Sequence, residues 1–188
     1  MESSESPIIL DACCIFNLYV SGHFLEILQA INAQFYVTLV VKDQELGMLE
    51  KLENEETPER NLLEMAIAEE LIQVIDFESE EEAELFVNYA FQIDDGEAAS
   101  CAIAVSRGWA IATDDRRAIS FIKSEVPFWK ILSTLDLIKY WSEAANLNSL
   151  KLREALEAIQ VKGRYRPPKS HLLYSWWELA INLESKND

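Results

Sequence analysis

Carboxylates follow two apolar runs of the chain at matching positions. Asp11 comes directly after residues 8–10, and Asp114 and Asp115 follow residues 109–112 in the segment AIATDDRRA. In open α/β sheets, reactive groups collect beyond the carboxyl ends of the strands. If both runs are neighbouring parallel strands, these acids share one crevice. Each acid alone is explained as well by a helix N-cap, but two at matching positions favour a site.

Two glutamates are candidates to join these aspartates. Glu97 lies in the segment GEAASCAIAV, where Gly96 can supply a turn and the small residues allow a helix to pack closely on a sheet. An acid in the first turn of a helix is also favoured by the helix dipole, which is the simpler interpretation of Glu97. Glu45, in VVKDQELGML, lies within a helical pattern beside apolar residues and means little by itself.

Four acids held close together would need a cation. Neighbouring carboxylates repel, so at least one would take up a proton unless a metal ion is bound. Oxygen ligands without histidine or thiolate favour Mg²⁺ or Mn²⁺. Such an ion can polarise a phosphodiester, activate water and stabilise the leaving oxygen. This chemistry needs no protein nucleophile, which suits a chain with two scattered histidines and no evident serine or cysteine triad.

Short apolar runs alternate with longer amphipathic segments, which predicts parallel strands joined by crossover helices. The predicted strands are residues 8–10, 35–39, 71–75, 109–112 and 129–132. The predicted helices among them are residues 24–30, 40–52, 58–69, 80–91, 97–107 and 116–123. The fold class expected from this order is a three-layer α/β/α sandwich with a central parallel sheet.

After residue 133 the pattern becomes wholly helical. Apolar residues recur at three- and four-residue spacing in 135–144, 149–160 and 171–183, with Asn148 and Ser170 as predicted caps.

The last of these helices carries an aromatic and aliphatic face that includes Trp176 and Trp177. Because such a face usually docks on the main body, we expect one domain over residues 1–188. Its core is expected at about 7–133 and its helical extension at about 134–188. A helix that binds a partner is the alternative.

A basic loop, VKGRYRPPKS, connects the last two predicted helices. Gly163 and two prolines indicate a connection, and its cations are Lys162, Arg164, Arg166 and Lys169. In a structural interpretation, the loop pairs with the acidic surface or caps the preceding helix. In a functional one, Arg164, Arg166 and Lys169 contact RNA phosphates together with Arg116, and Tyr165 stacks on a base.

Composition limits the classes of function. The chain has 188 residues, 49% of them hydrophobic, and a formal net charge of -17. Such a charge repels polyanions at long range and argues against tight nonspecific nucleic-acid binding. It does not exclude an enzyme whose acidic pocket binds cations. The sequence has no long apolar segment and no basic leader, which predicts a cytoplasmic protein without a membrane partner. Its three cysteines do not suggest a disulfide framework.

Four segments, taken in order, resemble a PIN domain, a family of metal-dependent nucleases that includes toxin ribonucleases. They are IILDACCIFNLY, VVKDQEL, GEAASCAIAVSRG and AIATDDRRA. The resemblance implies that the metal-binding and catalytic acids are Asp11, Glu45, Glu97 and Asp115. It also implies that Thr113 orients Asp115, and it leaves Asp114 as an ambiguous further ligand. The family often has Asp where this chain has Glu97, and Asp94 and Asp95 are competitors for that role.

The leading hypothesis is therefore a Mg²⁺- or Mn²⁺-dependent endoribonuclease that hydrolyses RNA phosphodiester bonds. One form of it is the toxin of a toxin–antitoxin pair. The protein partners considered are an antitoxin, another protein and a second copy of the chain in a homodimer. The alternative is a PIN-fold binding or scaffold protein with little or no activity. A doubly wound nucleotide-binding domain is a third reading, but the sequence lacks a glycine-rich phosphate loop.

Overall fold

The computed structural model describes residues 7–43 and 62–182. Five strands form one sheet in the order β3-β2-β1-β4-β5, and every neighbouring pair is parallel. The strands are β1 (Ile8–Leu10), β2 (Phe35–Thr38), β3 (Ile72–Ile75), β4 (Ala110–Ala112) and β5 (Ile131–Leu132). Each lies within a predicted apolar run. The predicted α/β sandwich with a central parallel sheet is therefore confirmed.

Helices precede and follow most of the strands. They are α1 (Ala12–Val20), α2 (Phe24–Ala30), α3 (Leu62–Ala68), α4 (Glu80–Ala90), α5 (Asp95–Arg107), α6 (Arg116–Glu125), α7 (Thr134–Ala144), α8 (Ser149–Val161) and α9 (Tyr174–Asn182). Residues 39–43 are also helical and follow β2 directly. The rest of the predicted helix 40–52, and the predicted helix start at 58, lie outside the described residues.

Of the two predicted caps of the last helices, one is confirmed and the other is wrong. Asn148 caps α8 as predicted, because its Oδ1 accepts the backbone N–H of Lys151 at 2.8 Å. Ser170 does not cap α9, which begins only at Tyr174. Two turns intervene, closed by N–H donation from His171 to the Pro168 carbonyl and from Tyr174 to the His171 carbonyl. Because of these local bonds, the helix begins three residues later in the chain than the predicted start at residue 171.

Helix α1 was not predicted from the apolar periodicity. Its residues Cys14, Ile15, Leu18 and Val20 are buried, and it contacts α2, α7 and α8. A helix covered on several sides needs no continuous polar face, so its sequence lacks the alternation that marks an amphipathic helix. The sequence of α1 is therefore an apolar segment without the repeat of apolar and polar residues from which a helix is predicted.

Two hydrophobic clusters lie on opposite faces of the sheet. Ile8 and Leu10 of β1 belong to the first cluster, and Ile9 belongs to the second. This alternation is the two-residue period of a strand that is buried on both faces. In the second cluster, Ala98 and Ala102 are fully buried. Their small side chains allow α5 to lie close to the sheet, so the start of α5 is brought near the strand ends.

The helical extension shares the first cluster with the sheet. Leu156 and Ile159 of α8 and Trp177 of α9 are buried in it. Trp177 of the predicted aromatic face therefore packs on the main body, and Trp176 is partly buried against the same cluster, whereas Leu172 is fully exposed. Among the helices of the described ranges, none has both the length and the apolar character that crossing a membrane requires.

Gly163 lets the loop after α8 approach α1 closely. A Cβ atom added to Gly163 would lie 2.5 Å from Asn17 Oδ1 and 2.6 Å from the Ile159 carbonyl oxygen. Neither contact distance is normal for a carbon atom, so only glycine fits without a shift. Because Asn17 is itself buried, the neighbouring atoms have little freedom to move away.

We predict that Gly163→Ala lowers the free energy of unfolding by about 2 kcal/mol, because the loop must retreat from α1. Urea denaturation followed by circular dichroism measures this loss. Gly108→Asn is the control: Gly108 has a φ of +71° with open space around it, and asparagine tolerates that backbone region. The control should cost roughly 0.5 kcal/mol. Equal losses in the two variants would contradict the close-approach explanation.

Candidate active site

The pairing of β1 with β4 brings the first two predicted acids to one edge of the sheet. Leu10 is in register with Ala112, and the Asp11 backbone N–H donates to the Ala112 carbonyl at 3.0 Å. Directly beyond the strands, the Thr113 hydroxyl donates to Asp11 Oδ2 at 2.8 Å. Asp11 and Thr113 are both buried. The two strand ends are therefore locked together by side chains as well as by backbone.

Thr113 also contacts the backbone of the next acid. Its Oγ1 accepts the backbone N–H of Asp115 at 3.1 Å. Asp115 in turn caps α6, since its Oδ1 accepts the backbone N–H groups of Arg117 at 2.7 Å and Ala118 at 2.9 Å. Asp115 is thus an N-cap, as one of the two interpretations predicted, and this is part of its role. Within the described residues its Oδ2 accepts no hydrogen bond, so one carboxylate oxygen is not engaged.

Glu97 lies in the first turn of α5, at the same edge. Its Oε2 accepts the backbone N–H of Asp94 at 3.4 Å. Burial, followed by the negative charges of Asp115 and Asp11, raises the pKa of Glu97 to about 7. Burial likewise raises the pKa of Asp11, with a contribution from Asp115, against the hydrogen bonds from Thr113 and Cys13. Three of the predicted acids therefore influence one another's charge.

No cation compensates these three acids within residues 7–43 and 62–182. Asp11, Glu97 and Asp115 take part in none of the ion pairs of that part of the chain. Glu82 provides the contrast, because it is as buried as Asp11 but pairs with Arg107, whose Nε lies 2.7 Å from Glu82 Oε1. Buried carboxylates are usually paired or bound to a metal. The acid cluster, defined as Asp11, Glu97 and Asp115, thus combines one buried and two partly buried carboxylates that have no ion-pair partner within the described residues.

The spacing of the acid cluster is wider than that of a preformed ion cage. Its ligand atoms do not all lie within 4.8 Å of one another. Repelling carboxylates are expected to separate where no cation holds them. Glu45, the fourth predicted acid, lies outside the described residues. The oxygen donors of the cluster nevertheless match a hard divalent cation in type.

A second group, formed by Cys13, Cys14 and Asp114, could hold a metal ion, because its ligand atoms lie within 4.8 Å of one another. Cys13 Sγ accepts the Asp114 backbone N–H at 3.2 Å and lies 3.1 Å from Asp11 Oδ2. Burial raises the pKa of the Cys14 thiol well above its usual value, with Cys13 and Asp114 adding to the effect. A thiol in this state must lose its proton before it can bind a metal.

Asp114 is held by the fold rather than by the acid cluster. Its Oδ1 accepts the Thr134 backbone N–H at 3.1 Å. Its Oδ2 accepts Asn17 Nδ2 at 3.0 Å and the Thr134 hydroxyl, and the Tyr165 hydroxyl is also hydrogen bonded to Asp114. The predicted further ligand Asp114 is therefore placed with α1, α7 and the basic loop. Sequence reasoning missed Asn17 and Thr134, although a lone Asn within an apolar segment signals a buried polar partner.

The predicted RNA contacts fall into two places. Arg116, Arg164 and Arg166 line a cavity of about 530 Å³ that also includes Thr113 and Asp114. Lys169 is not among the residues that line it. Tyr165 also lines this cavity, while its ring packs partly against the first hydrophobic cluster and its hydroxyl is bound to Asp114, so base stacking by Tyr165 stays a prediction. Through these contacts Tyr165 anchors the loop.

We predict that the metal-free protein loses about 1 kcal/mol of stability as the pH rises from 4.5 to about 7. The folded state binds the Glu97 proton more tightly than the unfolded state, so this contribution is complete below pH 4.5 and lost as Glu97 ionises. Solvent screening of the partly exposed carboxyl keeps the effect small. Glu97→Gln should remove the contribution of Glu97 to this loss, whereas Asp95→Asn, which changes an exposed acid in the same helical turn, should retain it. Denaturation in chelator at several pH values measures the difference, and identical profiles for the two variants would contradict the assignment.

We predict a larger cost for Asp114→Asn than for Asp115→Asn. Asp114→Asn places an amide among donors that require an oxygen acceptor, which should lower the free energy of unfolding by about 2 kcal/mol. Asp115→Asn keeps a good N-cap and relieves repulsion, so its cost should be below about 0.5 kcal/mol. Urea denaturation compares the two. A larger loss for Asp115→Asn would show that Asp114 does not support the fold.

No protein-family model matches this chain, and no curated protein matches it either. The PIN-domain resemblance therefore rests on the four sequence segments and their acids.

Proposed function

We propose that this protein is a metal-dependent endoribonuclease of the PIN type that hydrolyses phosphodiester bonds of single-stranded RNA. The observation that carries the proposal is the acid cluster at the carboxyl edge of the sheet. Burial, together with the neighbouring negative charges, raises the pKa of Asp11 and of Glu97, and the three acids have no cation partner among the described residues. A bound divalent cation would remove this electrostatic cost.

Asp11, Glu97 and Asp115 are the residues that would hold the metal, with Glu45 as a predicted fourth ligand. Their hard oxygen donors favour Mg²⁺ or Mn²⁺. When bound, such an ion would polarise the phosphodiester and lower the pKa of a water molecule. The fit depends on the donor type and on the uncompensated charge, because the acids would have to move closer together to share one ion.

The chain's own residues divide the remaining tasks. Thr113 positions Asp11 by donating to Oδ2 and positions Asp115 through its backbone N–H. Glu97, whose pKa is raised to about 7 in the metal-free site, would be held ionised by a bound cation and would serve as a ligand. In the hydrolysis, a bond forms between the water oxygen and phosphorus, the ester bond breaks, the attacking water gives up a proton to solvent, and the leaving oxygen takes one from solvent.

The resemblance to the PIN family suggests RNA rather than DNA as the substrate, a toxin role and an antitoxin partner. The proposed location in a reducing cytosol is supported by Cys13, Cys14 and Cys101, which are all free thiols. A homodimer is a further proposal of the same kind.

A second candidate function is a PIN-fold binding protein with little catalytic power. The observation that favours it is the spacing of the acid cluster, whose ligand atoms do not all lie within 4.8 Å of one another. A site without catalytic duty could tolerate that spacing. Activity measurements separate the two candidates directly.

We predict that the protein cleaves single-stranded RNA when Mn²⁺ or Mg²⁺ is present and loses this activity in chelator. Asp11→Asn and Asp115→Asn should each reduce the cleavage rate by about 100-fold or more, because each removes a metal ligand. Cleavage of a labelled RNA on a denaturing gel measures the rate. Asp95→Asn is the matched control and should cut like the parent, while denaturation curves verify that all variants fold. Undiminished cleavage by Asp11→Asn and Asp115→Asn would refute this site.

A further inference from the structure

A cavity beside the acid cluster collects positive charge. We define the basic cleft by the cations that line it, which are Arg116, Lys123, Arg164 and Arg166. It lies between α6, β5 and the basic loop and has a volume of about 530 Å³. Trp129 and Ile131 contribute apolar wall, and Thr113 and Asp114 lie at the side of the acid cluster. Its cations come from two separate parts of the chain, so their convergence is a product of the fold.

These cations are unpaired in a protein that has acids in excess. The chain has 33 Asp and Glu residues against 16 Lys and Arg residues. Within the described ranges, none of the four cations forms an ion pair or a side-chain hydrogen bond, and the Arg166 guanidinium lies over the Trp177 ring, 5.3 Å from its centroid. Elsewhere, cations such as Arg107 and Lys151 do pair with acids. Exposed cations outside the cleft, such as Lys162 and Lys169, also form no ion pair within the described ranges. The convergence of four such cations on one cavity, rather than the lack of pairing by itself, favours an external anion.

The acids of the basic cleft are already engaged within the fold. Asp114 is bound by Asn17, Thr134 and Tyr165. Asp136 Oδ2 accepts the Ser133 backbone N–H at 2.8 Å and the Ser133 hydroxyl at 2.6 Å. These bonds direct both carboxylates to internal donors. They leave the four cations without an acid that is free to neutralise them.

His171 lines the same cleft and is held there by two hydrogen bonds. Its Nδ1 accepts the Leu173 backbone N–H at 3.0 Å, so that nitrogen carries no proton. Its Nε2 therefore carries the proton and donates to Ser133 Oγ at 3.1 Å. These two hydrogen bonds fix the loop to α7.

The loop holds its arginines in place through several anchors. Gly163 contacts α1 closely, the Tyr165 hydroxyl is bound to Asp114, and Arg166 lies over Trp177. Between the first two anchors, Arg164 adopts a φ of 52°. That backbone region is costly for a residue with a side chain, by about 1 kcal/mol, and such strain is concentrated at functional sites. The loop thus presents Arg164 to the cleft at a conformational cost.

The basic cleft and the acid cluster share their border. Thr113 lines the cleft and also donates to Asp11, and Arg116 directly follows Asp115. We propose that the basic cleft binds the phosphate group of a nucleotide. Given the proposed function, on which this part rests, the bound group in an RNA strand is a phosphate adjacent to the bond that the acid cluster hydrolyses. Guanidinium groups and a lysine suit a phosphate because they offer charge-assisted hydrogen bonds.

Binding in chelator tests the cleft without cleavage. The probes are a short 5′-phosphorylated single-stranded RNA, AMP and adenosine, measured with the full chain by fluorescence or calorimetry. RNA or AMP should bind and adenosine should not, because only the phosphate engages the cations. Binding of RNA would show that the cleft accepts a phosphate that is part of an RNA strand. Binding of AMP alone would show that the cleft accepts only free nucleotides. Binding of neither probe would overturn the proposal.

Two double variants with the same change of charge supply the decisive comparison. Lys123→Gln/Arg164→Gln removes two cations of the basic cleft, and affinity should fall about tenfold or more. The slope of log affinity against log salt for RNA should decrease by about 1.4. Lys162→Gln/Lys169→Gln removes two exposed cations of the same loop that do not line the cleft, and it should change affinity by less than about twofold. Equal weakening by both would assign the effect to overall charge and overturn the cleft.

Cleavage assays of the same proteins separate this inference from the proposed function. Metal-dependent cleavage with undiminished RNA affinity in Lys123→Gln/Arg164→Gln would remove the cleft and leave the nuclease. Selective loss of binding in a protein that never cuts RNA would support the cleft and remove the nuclease. Melting temperatures in each variant verify that the loop remains folded.

Discussion

The parallel pairing of β1 with β4 is the constraint on which the candidate site depends. The register of Leu10 with Ala112 continues one residue further, where the Asp11 N–H donates to the Ala112 carbonyl. The next side chains of both strands then emerge at one edge. The Thr113 hydroxyl can therefore donate to Asp11 at 2.8 Å, although the two residues are far apart in the chain. A change in this register would separate every acid that follows the two strands.

The helix starts explain how the fold tolerates uncompensated acids. Asp115 accepts two backbone N–H groups at the start of α6, and Glu97 accepts the Asp94 N–H at the start of α5. Free N–H groups and the helix dipole favour negative charge at these positions. They only partly offset burial and repulsion, since the pKa of Glu97 still reaches about 7. The same residues thus cap helices and form an acid cluster.

Net charge and local charge act over different distances in this protein. A formal charge of -17 disfavours the approach of a polyanion at long range. At physiological ionic strength, however, screening limits such effects to roughly 8 Å. Within that range an anion in the cleft meets Arg116, Lys123, Arg164 and Arg166. An acidic composition therefore excludes tight nonspecific binding more firmly than it excludes a specific phosphate site.

The extension belongs to the same physical unit as the candidate site. Gly163, Tyr165 and Trp177 connect the loop and last helix to α1, Asp114 and the first hydrophobic cluster. Two roles were considered for the cations of the loop: pairing with acids of the protein surface, or contact with RNA phosphates. Its arginines form no ion pair within the described ranges, so steric fit and hydrogen bonds hold the loop instead. Arg164 and Arg166 are left to face the cleft.

Local periodicity was sufficient to predict the strands, most helices and the edge to which Asp11 and Asp115 come. Strand and helix periods are properties of neighbouring residues, so they can be read directly from the chain. Periodicity failed for α1, because a helix buried on several sides has no polar face to mark its period. It also could not place Asp114, whose partners Asn17, Thr134 and Tyr165 lie in other elements. Such partners, and the joining of Lys123 with Arg164 in one cleft, are decided by packing between elements, because only tertiary structure sets the distances between residues remote in sequence.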